Sequence, residues 1–118
     1  MTIRDKIKPF VIVEYETGGT LQLYSVEDYK RELFDSRKSE GFTGSSAEWH
    51  MLAELFAREE MPDILDDIQF ETEADMFTVY ADDCVLLESF AMQFKAALDN
   101  DEYIYPLFMQ LPPCSGTE

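Results

Sequence analysis

Apolar residues along this chain recur with two different periods, and the changes between them mark out the elements. Residues 9–16, PFVIVEYE, form a β-branched and aromatic run, and 20–25, TLQLYS, set Leu21 and Leu23 between polar neighbours. A period of two describes a half-buried strand. Thr17-Gly18-Gly19 between the runs supplies residues that tolerate positive φ, so strands one and two are predicted as a hairpin. From Ser25 the period lengthens. Val26, Tyr29, Leu33 and Phe34 share one face of a helix predicted over 26–38, with Asp28 at the capping-box position.

The stretch SEGFTGSS at 39–46 reads as a loop, because two glycines and a cluster of hydroxyls continue a helix only at a cost. Ser45 with Glu48 three positions on is a second capping box, opening a helix that runs to about Glu60 before Pro62. Its Trp49, Leu52, Ala53 and Phe56 recur at helical spacing, so this helix packs on a sheet face. Ile68-Gln69-Phe70 and Met76 to Tyr80 are strand-like runs joined by the acidic turn at 71–75, a second hairpin. Asp82 or Asp83 caps a further helix over 84–98, with Leu87, Ala91, Phe94 and Leu98 as its buried stripe. Pro106 leaves helix and edge strand both open for residues 100–111, and a short helix is favoured.

Hairpins in place of crossover units predict an α+β fold: an antiparallel sheet of about four strands, in two hairpins, packed with three to four helices. Phe10, Tyr15, Phe70, Phe77 and Tyr80 are assigned to its apolar face. The 118 residues are expected to form one domain, with 1–8 and 112–118 flexible at its ends. No apolar run approaches the length of a membrane span and the N-terminus lacks a secretory signal, so the cytoplasm is the expected location and no membrane contact is expected.

Charge alters this picture. Residues 1–60 hold twelve acids and eight bases, whereas 61–118 hold thirteen acids and one base, so most of the net −16 sits in the second half. Between Arg58 and Lys95 there is no basic residue and there are eleven acids. Such a field steers the chain toward a cationic surface and repels nucleic acid, whose binding needs clustered Lys and Arg. Asp63, Asp66, Asp67, Glu71, Asp75 and Asp82 are therefore the candidate partner-binding acids. Asp63, Asp66 and Asp67 are assigned to steering, and Glu71, Asp75 and Asp82 to close contact nearer the second hairpin turn. Phe42 and Trp49, with Tyr103 or Tyr105, are candidate anchors on condition that they are exposed, since a tryptophan on a helical apolar stripe is more often core.

Catalytic chemistry finds little footing. His50, the only histidine, has no nucleophile elbow to serve and is assigned to a surface or rim position. Crowded carboxylates give none of the environmental contrast that acid/base pairs need. Asp99 and Asp101 lack the glycine and glutamate of a calcium loop, and no glycine-rich phosphate cradle follows a strand. Cys84 and Cys114 form neither a zinc motif nor a disulfide framework, and Cys84 is assigned a partly buried position. No cofactor or metal is expected.

The segments GFTGSSAEWHMLAELF and IQFETEADMFTVYADD, joined by a short acidic linker and followed by a hydrophobic helix, resemble the immunity proteins of bacterial polymorphic-toxin systems, of the contact-dependent or type VI/Rhs kind. The matching positions are Gly41, Gly44, Trp49, Phe70, Glu71, Glu73, Ala74, Met76 and Phe77, within 39–98. The resemblance implies a non-enzymatic, cytoplasmic protein of bacterial competition that binds and neutralises the toxic domain of a cognate effector, one with a basic surface or cleft. The alternative from the same charge is an acidic nucleic-acid mimic that inhibits a DNA-binding enzyme, which regular carboxylate spacing would favour.

Overall fold

The computed structural model describes residues 7, 10–24, 29–71 and 76–112. Strands β1 (Val11–Glu14), β2 (Gly19–Leu23), β3 (Ile68–Phe70) and β4 (Phe77–Ala81) form one sheet in the order β1-β2-β4-β3, every neighbouring pair antiparallel. Among the described residues four α-helices complete an α+β fold: α1 (Arg31–Asp35), α2 (Ser46–Glu60), α3 (Cys84–Leu98) and α4 (Asp101–Phe108). The two predicted hairpins thus lie side by side, joined through their inner strands β2 and β4.

Alternation along each strand separates two faces. Ile12, Leu21, Val79 and Phe70 stand in one cross-strand row, with Leu23 opposite Phe77 beside it. Onto this face pack α2, which meets β4, and α3, which meets β2 and β4, while α4 lies against α2 and α3. Trp49 is fully buried at the centre, its ring 5.2 Å from Phe34, 6.2 Å from Phe10 and Phe94, and 6.4 Å from Phe77.

The same alternation corrects the predicted apolar face. Val11, Val13 and Tyr15 follow the parity opposite to Ile12, and Thr78 and Tyr80 the parity opposite to Val79. Tyr15 and Tyr80 therefore belong to the outer face, not to the core.

Helix α1 is also shorter than the predicted 26–38. Lys30 is left-handed, with φ 56° and ψ 37°, and a residue in that region cannot continue an α-helix, so the helix that carries Leu33 and Phe34 begins at Arg31. Ser25, Val26 and Asp28, and with them the first predicted capping box, lie outside the described residues. The second capping box is present: the Ser45 side chain accepts from the Glu48 N–H, and the Glu48 carboxylate accepts from the Ser45 N–H at 3.2 Å. Asp83, not Asp82, caps α3, accepting from the N–H groups of Val85 and Leu86. The segment after Asn100 is helical. Its exposed Pro106 forgoes one helical hydrogen bond within an element whose Ile104, Leu107 and Phe108 are buried.

Candidate functional site

The antiparallel register of β3 and β4 sets Ile68 opposite Ala81. The residues just outside that pair, Asp66-Asp67 before β3 and Asp82-Asp83 after β4, consequently converge from two distant stretches of sequence. They line an open hollow of about 330 Å³ with Gln69, Tyr80 and Leu86. All four acids are exposed. The Tyr80 hydroxyl donates to Asp82 Oδ1 at 2.8 Å and reaches the Thr17 carbonyl at 3.2 Å, which ties the hollow to the first hairpin turn. That bond to Asp82 holds the Tyr80 phenol above the usual tyrosine range, with partial burial adding to the effect.

No ion pair among the described residues neutralises the hollow. Arg31 pairs with Asp35, Arg37 with Glu40, Arg58 with Glu54, and Lys30 and Lys95 with Asp99, all within or between helical segments. These five bases are thus engaged on the helical side, and the described carboxylates at the two ends of β3, Asp66, Asp67, Glu71, Asp82 and Asp83, are exposed.

The predicted site residues separate. Asp66, Asp67 and Asp82 share the hollow, and Asp63 is exposed in the 3-10 turn Pro62–Ile64 nearby in sequence. Glu71 is exposed at the opposite end of β3, where its N–H donates to the Thr78 carbonyl at 2.9 Å. Four residue-to-residue steps of extended chain from Asp67 to Glu71 span about 13 Å, beyond the screening length of about 8 Å at physiological ionic strength. The grouping of Asp82 with Glu71 near the second turn is therefore corrected: the register puts Asp82 with Asp66 and Asp67. Asp75 lies outside the described residues.

Phe42 and Trp49 do not meet the exposure condition for anchors, at 1% and 0%. Phe42 packs on Phe108 at 4.9 Å and under the Arg37 guanidinium at 4.6 Å, so both aromatics are core residues. Tyr103 and Tyr105 are half-buried, and the Tyr103 hydroxyl donates to Glu60 at 2.9 Å, linking α4 to α2. His50 is at the rim, its ring stacked on Phe70 at 4.4 Å. Cys84 is partly buried, and burial pushes its thiol pKa up, with Glu14, Glu88 and Asp83 adding to the effect.

The loop at 41–46 is built around Glu48. Its buried carboxylate accepts from the N–H groups of Thr43, Gly44 and Ser45 at 2.6–3.2 Å. This loop is structural scaffolding for Trp49, and its glycines serve that purpose: Gly41 and Gly44 have φ 98° and 82°.

Sequence reasoning missed Gln69, Tyr80, Asp83 and Leu86 as parts of the hollow. Strand pairing alone would find them, once Ile68 is placed opposite Ala81. Among the described residues no His, Cys, Asp and Glu side chains are grouped so as to hold a metal ion, and no helix is long and apolar enough to cross a membrane.

An α+β domain of this topology, with an acidic hollow at one end of its sheet that no ion pair among the described residues neutralises, matches over residues 10–111 the family model of an immunity protein. The chain belongs to that family, Immunity protein 51. The membership gives it an immunity function and implies a cognate toxin as its partner. No curated protein and no solved structure matches it.

Proposed function

We propose that this protein acts in the cytoplasm by binding the toxic domain of a cognate effector and blocking it without catalysis of its own. The acidic surface of the second hairpin meets a basic surface or cleft on the toxin. The observation that carries this reading is the convergence of Asp66, Asp67, Asp82 and Asp83 in one open hollow that no described base neutralises. Toxin domains that handle nucleic acid or nucleotides present positive clefts, and carboxylates can occupy them in place of phosphates. Division of the acids between the two ends of β3, in place of a regular row, gives the nucleic-acid mimic less support.

Co-expression with the C-terminal toxin domain encoded by the neighbouring gene is the test. Growth should be restored and the two proteins should copurify. A pair that neither copurifies nor restores growth removes the proposal.

A further inference from the structure

The sheet has one face without a helix among the described residues, and that face carries an ordered set of aromatic and aliphatic side chains. Val11, Tyr15 and Tyr24 are 40%, 52% and 59% exposed, three of the large hydrophobic residues the fold leaves in solvent. They are not loosely hung. The Tyr24 hydroxyl donates to Gln22 Oε1, Gln22 Nε2 donates to Thr20 Oγ1 at 2.9 Å, and Tyr15 lies 3.4 Å from the same Thr20 oxygen. Gln22 and Thr20 are buried, so both tyrosines are tethered to a fixed polar row in the sheet. Preorganised tyrosines present large contact area at a small cost in side-chain entropy, which is why interfaces favour them.

We propose that this outer sheet face is where the cognate toxin docks, with Tyr15 and Tyr24 as the central anchors and the acidic hollow as its charged rim. The inference rests on the reading of the protein as a toxin-binding inhibitor. Two features commit the surface to a cationic protein partner. Cross-strand pairing runs Val13, Thr20, Tyr80 and Gln69 in one row, and Tyr80 and Gln69 also line the hollow, so the aromatic face and the acids form one continuous surface. In addition, the four described strands contain no lysine or arginine, so the strands themselves set no positive charge against a basic partner.

The test measures binding of the neighbouring gene's toxin domain to the wild-type chain and to the variants Tyr15→Ala, Tyr24→Ala and, as a control on the helical side, Met109→Ala. Each tyrosine variant should weaken binding about 30-fold, as loss of a central anchor does, while Met109→Ala binds like wild type. Amide hydrogen exchange on the wild-type complex supplies a readout independent of mutant folding, and β1, β2 and β4 should gain protection. Wild-type binding that survives both tyrosine substitutions, or protection confined to the helices, overturns the docking face and leaves toxin neutralisation standing. Failure of the wild type to bind removes both.

Discussion

Gly18 and Gly19 show how much a single residue can hold. The Gly18 backbone is left-handed at φ +89°, and a Cβ there would stand 2.3 Å from the Ala81 carbonyl oxygen; at Gly19 it would meet the Val13 carbonyl at 2.7 Å and Cys84 Sγ at 2.9 Å. The turn therefore closes against β4 and the start of α3, which demands the absence of a side chain as well as a permissive φ. Gly18→Ala should cost at least about 2 kcal/mol in urea unfolding, from strain and overpacking together. Glu48 is the other small part with a large share. Glu48→Ala strands the buried Gly44 N–H and the part-buried N–H groups of Thr43 and Ser45 and should cost about 3 kcal/mol, with Glu48→Gln recovering roughly half, because an amide oxygen can still accept.

Two tyrosines give the fold an alkaline limit. Burial, then Asp99, drives the Tyr29 phenol well above the usual tyrosine range, and burial with the Glu60 hydrogen bond does the same for Tyr103. Unfolding would return both to a pKa of about 10. Their contribution is therefore complete below about pH 10 and declines as pH rises past it, because the unfolded chain releases those protons first. Melting temperatures should fall from pH 9.5 to 11.5, and Tyr103→Phe should make that fall shallower.

Among the elements, α2 and α3 sandwich the aromatic core against the sheet, and their two caps are separable. Asp83→Ala removes the cap of α3 and should cost about 1 kcal/mol in thermal or chemical unfolding, whereas Phe77→Ala opens a cavity beside Trp49 and Phe70 and should cost about 3–5 kcal/mol. A cost below about 1 kcal/mol for Phe77→Ala would contradict the inward parity of β4. Periodicity made the long helices readable: the predicted 84–98 coincides with Cys84–Leu98, and Ser45 and Glu48 announced the start of α2. It failed for α1, because the left-handed Lys30 breaks a helical pattern that side-chain spacing alone continues. It also misassigned Tyr15 and Tyr80, since aromatic character is silent about parity while strand register is not.

For the molecule as a whole, a net charge of −16 acts on stability and on encounter in opposite directions. Self-repulsion opposes the compact state, so the melting temperature should rise as salt is raised from about 0.01 M to 0.3 M and the field is screened. The same salt should slow association with the toxin domain strongly and change its dissociation only a few-fold. Reversing Asp66 and Asp67 to lysine should reproduce that kinetic effect without unfolding the chain. Association indifferent to both salt and reversal would return the hollow to a merely solvated surface.

The sequence by itself determined the α+β class, the two hairpins, the ends of the longer helices and the acidity of the second half, because each depends on local periodicity, caps or composition. Tertiary structure alone decided which acids act together. Asp66 and Asp82 lie sixteen positions apart and share a hollow only because Ile68 pairs with Ala81, while Asp67 and Glu71, close in sequence, are held at opposite ends of an extended strand. It likewise decided that Trp49 and Phe42 are core and that Tyr15 and Tyr24 face solvent. Burial depends on which face the neighbouring elements cover, and that coverage is a property of the assembled sheet and helices.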